Sequence, residues 1–259
     1  MHLPFGARAD REQQTRILRS ALEAIRPGRN AAAFDLDSTL LINRARQARI
    51  VREYGVQARE PRLADCPPEA VVSWDLRDTA RLCGLSADEA ERIHSALKDF
   101  WRARFFTSEY CRDDTPVAGA ADYLRAVLAA GGDVLYVTGR HEQMREGTIE
   151  SFRAANFPLP DAIDNDSQNH YQAGRVQLWL KPKLDDDDDA WKEICHARLG
   201  RMRSLACAFD NEPTHVNAYK RAFPDAVVVH LDTDHSRRPV EILASIPSVH
   251  DFVTGAGGP

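Results

Sequence analysis

Two aspartates two positions apart, Asp35 and Asp37, stand where the apolar run AAAF gives way to Ser38 and Thr39. Comparable transitions recur down the chain. The run DVLYV leads into Thr138-Gly139-Arg140, and LACAF leads into Asp210-Asn211-Glu212. Lys192 opens the helical stretch before the latter, and Lys181 closes the run RVQLWL. Brought to one place, these ends surround a crevice with three acidic groups, a hydroxyl and an ammonium. Carboxylates bind a hard divalent cation, while a hydroxyl and an ammonium hold anionic oxygens, so the set suits a phosphoryl group held beside a metal.

Bringing such ends together is the work of a sheet. Short apolar runs at 31–36, 133–137, 175–180, 205–209 and 226–231 read as buried parallel strands. Helical patterns at 117–130, 141–155, 189–199 and 213–222 alternate with them, and another at 10–26 precedes them. The class is α/β, a doubly wound, mostly parallel five-stranded sheet, whose ligands sit beyond the carboxyl ends of the strands. The alternation breaks between 43 and 112, where only amphipathic helical segments occur. That stretch reads as an all-α cap inserted into a core domain of residues 1–42 and 113–259. It leaves directly after the two aspartates and returns through the turn Asp114-Thr115-Pro116, which tethers it beside the crevice.

Composition narrows the function classes. With 259 residues and 43% hydrophobic content, the chain can bury a sizeable core. A net charge of -5 supplies no overall basic field, so nucleic acid is not favoured as a partner. Five scattered cysteines form no C-x-x-C pair, which fits a reduced, cytoplasmic setting. No apolar run approaches the length of a membrane span and the start lacks a signal-peptide pattern, so no membrane partner is expected.

The ordered set resembles the motifs of the haloacid dehalogenase superfamily, which is dominated by phosphatases. Its D-x-D-x-T motif is matched by Asp35-Leu36-Asp37-Ser38-Thr39, and its strand ending in a hydroxyl residue by VLYVTGR with Thr138. Its lysine is matched by Lys192 or Lys181, and its late acidic motif by Asp210 in LACAFDNEP. The resemblance spans residues 30 to 235 and implies a Rossmannoid core. It further implies that Asp35 attacks phosphorus to form an aspartyl phosphate, and that Asp37 serves as general acid and then base. Thr138 and Lys192 would hold the phosphoryl oxygens. Mg2+ would be held by Asp35, the backbone carbonyl of Asp37 and Asp210, with Asn211 or Glu212 in its outer shell. Dehalogenases of the superfamily lack the second aspartate, so Asp37 implies a phosphatase acting on a small phosphorylated molecule. A phosphomutase, a polynucleotide-end phosphatase and a non-catalytic phosphate-binding module are the alternatives.

Three departures stand out. Ser38 replaces the usual glycine, Asn211-Glu212 replaces the usual continuation of the last motif, and the choice between Lys192 and Lys181 is open, with Lys192 preferred because it can point between strands one and four. Other chemistry-bearing residues have plainer readings: the run Asp185 to Asp189 as a helix start, His141 as solvated, Asp232, Asp234 and His235 as turn residues. In KDFWRARFF the aromatic residues are expected inside the insert with the arginines outside, the alternative being Arg102 or Arg104 facing the crevice.

Overall fold

The computed structural model describes residues 9–161, 175–202, 204–236 and 238–255. Helix α1 (Arg11–Glu23), started by the Asp10 side chain accepting from the Gln13 amide, precedes strand β1 (Ala31–Phe34) and the short β2 (Leu41–Ile42). Helices α2 (Arg44–Ala58), α3 (Pro61–Ala64), α4 (Leu76–Leu82), α5 (Ala87–Phe105) and α6 (Ser108–Cys111) follow, and β3 (Thr115–Pro116) returns antiparallel to β2. The alternation then runs α7 (Ala120–Ala129), β4 (Asp133–His141), α8 (Arg145–Ala154), β5 (Val176–Lys181), α9 (Asp188–Met202), β6 (Leu205–Asp210), α10 (Pro213–Ala222), β7 (Val227–Leu231) and β8 (Ser248–Val249). Among the described residues no helix is long and apolar enough to cross a membrane.

The main sheet has the order β5-β4-β1-β6-β7-β8, with every neighbouring pair parallel. It is doubly wound and mostly parallel as the periodicity predicts, with one strand more than expected. That strand, β8, is only two residues long and carries no periodic signal. The chain leaves β1 towards β4 on one side and reaches β6 on the other, so a crevice opens at the carboxyl end of β1. Asp35 is the first residue beyond that strand.

The small residues of β1 reflect burial on both faces. Ala32 and Phe34 pack with Leu18, Tyr123 and Phe152 on one side, whereas Ala31 and Ala33 pack with Trp179, Trp191 and Tyr219 on the other. Phe34 stacks on Phe209 with ring centroids 4.9 Å apart, fixing β1 against β6 just below the crevice. Strand β4 runs on past Val137 through Thr138-Gly139-Arg140 to His141, beyond the expected end of the run. A bulge in its pairing with β5 lets His141 align with Lys181, and a 3₁₀ turn at Glu142–Met144 precedes α8.

In the stretch between β2 and β3, α5 is set by the capping box of Ser86 and Glu89. Leu63, Ala80, Leu97 and Val51 pack together there, separate from the clusters on the sheet. Its links to the sheet portion are polar and close. Arg44 pairs with Asp234 at 3.0 Å, Arg102 pairs with Asp185 at 2.7 Å, and the Ser108 hydroxyl donates to the Gln143 carbonyl. A Cβ on Gly147 would meet the Ser108 carbonyl oxygen at 2.2 Å, so glycine is needed for α6 and α8 to approach.

Where α9 packs on α10, the His196 ring lies 4.1 Å from that of Tyr219 and is 7% exposed. Burial, helped by Lys192, pulls its pKa from 6.5 down to about 4. The unfolded chain therefore binds a proton between these values that the folded chain refuses, and stability falls as pH drops from 6.5 towards 4. The loss is on the order of 3 kcal/mol. Urea unfolding across that range is expected to show this slope, and His196→Phe is expected to flatten it.

Candidate active site

At the carboxyl end of β1 the chain turns sharply. Ser38 adopts φ 63°, the left-handed region that glycine tolerates best, which explains why glycine suits this position in the resembling motif. The turn is closed by the Ser38 amide donating to the Leu41 carbonyl. The Thr39 hydroxyl donates to Asn211 Oδ1 at 3.0 Å, tying it to the end of β6. The two aspartates are thereby held in separate surroundings.

Asp35 faces Lys192 and Asp210. Lys192 Nζ donates to Asp35 Oδ1 at 2.7 Å, to Asp210 Oδ2 at 2.9 Å and to the Val137 carbonyl at 2.7 Å. The first turn of α9 points this side chain between β1, β4 and β6, where it is buried. Burial works against the ammonium, but Asp210 and Asp35 outweigh it and keep its pKa well above the ordinary lysine value. Burial pushes Asp35 up to about 7 against the pull of Lys192, with Asp210 adding to the rise. Asp210 goes the other way: despite burial, Lys192 and His215 hold it well below the usual carboxylate range. Two buried carboxylates thus share one ammonium.

Lys181 is not part of this cluster. It ends β5, the edge strand, and its Nζ pairs with Asp188 at 2.7 Å. Topology separates the two lysines, since α9 starts beside the central strand whereas β5 lies at the edge. Thr138 lines the same crevice, its hydroxyl accepting from the Arg140 amide.

Asn211 and Glu212, expected in the outer metal shell, line the crevice with their side chains engaged by neighbouring loops. The Asn211 amide donates to the Asp234 carbonyl while its oxygen serves Thr39, and the Glu212 carboxylate accepts from the amide and hydroxyl of Ser236. Both side chains fasten the loops after β6 and β7. Among the described residues no three His, Cys, Asp or Glu side chains converge as a ready metal cluster. A set of two carboxylates and one backbone carbonyl needs no such cluster. With hard oxygen donors and an excess of negative charge around Asp35 and Asp210, the site fits a divalent cation of the Mg2+ kind.

Asp37 lies in a buried ionic network that the motifs do not announce. Arg140 reaches it with Nη2 at 2.6 Å and Nε at 2.9 Å, Arg46 with Nη2 at 2.8 Å, and Asn43 with its amide at 2.8 Å. The same three side chains contact Asp114, at 2.6 Å from Arg140, 3.0 Å from Arg46 and 2.9 Å from Asn43. Burial alone would raise Asp37, but Arg140 and Arg46 hold it well below the usual carboxylate range. Asp37 is therefore held ionised at the lip of the crevice.

His215 was not singled out by its spacing. It stands in the first turns of α10, with Nδ1 3.3 Å from Asp210 and Nε2 2.9 Å from Asp189. The acidic run is spent one residue at a time, Asp187 capping α9, Asp188 meeting Lys181, and Asp189 meeting His215 and Arg238. His141 is buried rather than solvated, its Nε2 3.0 Å from the Phe106 carbonyl. Asp234 is the turn residue expected. Arg102 and Arg104 turn outward to Asp185 and Glu53, leaving aromatic rings to face the crevice.

The crevice is a cavity of about 330 Å³ with Asp35, Asp37, Thr138, Lys192 and His215 in its wall. The strand order around it and its position beyond the central strand decide the fold. The fold is the haloacid dehalogenase-like one. A candidate phosphatase from Clostridium difficile superposes on it with a TM-score of 0.51 at 12% identity, covering 86% of this chain and 95% of that one. CbbY from Rhodobacter sphaeroides, solved with phosphate, gives 0.49 at 15% identity over 86% of this chain and 94% of its own. The haloacid dehalogenase-like protein SP0104 from Streptococcus pneumoniae gives 0.47 at 11% identity over 88% and 96%. No family profile and no curated protein matches the sequence itself.

Proposed function

We propose that this haloacid dehalogenase-like protein is a phosphomonoesterase working through an aspartyl phosphate. The observation that carries the reading is Lys192 Nζ held between Asp35 and Asp210 at the carboxyl end of the central strand. A buried ammonium there can grip the oxygens of a phosphoryl group presented to Asp35, with the Thr138 hydroxyl beside it.

In the first half-reaction an Asp35 oxygen attacks phosphorus, the bond from phosphorus to the ester oxygen breaks, and the leaving oxygen takes a proton from Asp37, which gains it from solvent as the substrate dianion binds beside it. In the second, water attacks phosphorus while its proton passes to Asp37, the bond to Asp35 breaks, and phosphate leaves. Arg46 and Arg140 keep Asp37 in the ionised form that the second half requires. Asp35, Asp210 and the Asp37 carbonyl would hold Mg2+, which when bound supplies positive charge between the nucleophile and the phosphoryl anion.

Phosphate release from a panel of phosphomonoesters, with Mg2+ and with EDTA, tests the reading. The wild type is expected to release phosphate only with the metal, and Asp35→Asn, purified in parallel, is expected to lose at least about 10³-fold. Equal release by Asp35→Asn would remove the aspartyl phosphate from the scheme.

A further inference from the structure

Four side chains of the helical insert reach the crevice, and all are aromatic: Trp74, Trp101, Phe105 and Phe106. They brace one another. Trp101 stacks on Phe105 with centroids 4.4 Å apart, while Trp74 meets Phe105 edge-on at 5.5 Å and Phe106 meets Trp101 at 5.5 Å. Phe105 is buried beneath the others, with the Arg46 guanidinium 3.9 Å from its ring centroid, whereas Trp74, Trp101 and Phe106 keep part of their surface open. An ordinary helical core would close over such rings. Here they stand as a wall opposite Asp35 and Lys192.

The charge around that wall is equally selective. No charged side chain of the insert lines the cavity. Lys192 and Arg140 are already committed to Asp35, Asp210, Asp37 and Asp114, His215 is held between Asp210 and Asp189, and Asp188 and Glu212 on the rim are acidic. A leaving group bearing a second phosphate or a carboxylate would find no uncommitted cation among the described residues. A flat apolar group would find ring faces and edges at van der Waals distance.

We infer that the crevice selects monophosphates whose leaving group is a flat aromatic ring without further negative charge. The inference rests on the phosphomonoesterase reading for its chemistry, but its recognition element is separate and is tested without turnover. Aryl esters also react faster for intrinsic reasons, so binding is the cleaner readout. Titration calorimetry with Mg2+ present compares 1-naphthylmethylphosphonate with propylphosphonate, neither of which can be hydrolysed. The naphthyl compound is expected to bind at least about tenfold more tightly. Trp101→Leu and, as a milder change, Phe106→Leu are expected to erase most of that advantage while leaving the affinity for propylphosphonate unchanged.

Equal affinities in the wild type, or an advantage that survives both substitutions, would overturn aromatic selection. If the naphthyl preference holds but 1-naphthyl phosphate is never hydrolysed, the hydrolase reading falls and the selection stands. If 1-naphthyl and propyl phosphates are both hydrolysed while the two phosphonates bind alike, the reverse holds. Failure of both phosphonates to bind overturns both.

Discussion

Lys192→Met is expected to stop phosphate release and to cost about 3–5 kcal/mol of stability, because it strips the shared ammonium from two buried carboxylates. At neutral pH Asp35 and Asp210 cannot both stay ionised in that space. Asp35, already pushed up to about 7 with the lysine present, would take a proton and cease to be a nucleophile. The transferring phosphoryl group would also lose its main positive contact. Loss of a preorganised charge-stabilising donor costs about 10²–10³ in rate on its own, and loss of the ionised nucleophile adds to it. Urea unfolding and phosphate release measured side by side check both parts. Lys181→Met is the control: its partner Asp188 is largely exposed, so little change in either measurement is expected. If Lys181→Met abolished release and Lys192→Met spared it, the phosphoryl group would be held at the edge of the sheet and not at its centre.

The contrast between the two lysines shows what a sequence can carry. Asp35, Thr138 and Asp210 each follow an apolar run, and a parallel sheet must gather such ends at one edge, so their meeting was legible from pattern alone. Lys192 was favoured on the same logic, because a helix entering beside a central strand points its first turn into the crevice. Arg46 was not legible. It sits in α2 among other arginines, and only the docking of that helix turns it inward, where it is fully buried, while Arg49 pairs with Glu53, Glu109 and Asp113 nearer the surface. Asp114 read as a turn signal, although its side chain closes the network around Asp37. His215 had no periodic role to mark it. For Asn211 and Glu212 a place beside Asp210 in sequence suggested a place near a metal, and both do line the crevice. Their side chains diverge to Thr39, Asp234 and Ser236 because the turn after β6 must be fastened to its neighbours. Trp101 was expected inside the insert, and helical spacing cannot say which edge of a ring remains open when two units meet.

Arg140→Met is expected to destabilise the fold by about 3 kcal/mol at pH 7, and its pH dependence separates the cause from simple loss of packing. In the wild type Arg140 and Arg46 face Asp37 and Asp114, so two cations balance two carboxylates, Asp114 fully buried and Asp37 at the lip of the crevice. Removing Arg140 leaves one cation for both. Asp37, held low in the wild type, contributes stability that is present above its unfolded pKa near 3.8 and is lost only as pH falls through its depressed folded value. In the wild type burial already raises Asp114 despite Arg46 and Arg140; in the variant the pair is raised further, so its folded form takes up a proton at higher pH than the wild type does. The stability gap between the two proteins should therefore narrow steadily between pH 7 and pH 4, whereas a defect of shape alone would stay constant. Arg140→Lys keeps the charge but not the paired contacts of Nε and Nη2 with Asp37, and should fall between the two proteins in stability. For catalysis the same change frees Asp37 to take a proton near neutral pH. The acid side of the rate profile, where ionised Asp37 is lost as the base of the second half-reaction, should shift upward as overall turnover drops, since the carboxylate is no longer fixed at the lip of the crevice. A pH-independent stability gap would show that Arg140 matters for its volume rather than its charge, and an unshifted rate profile would place the proton transfer on a group other than Asp37.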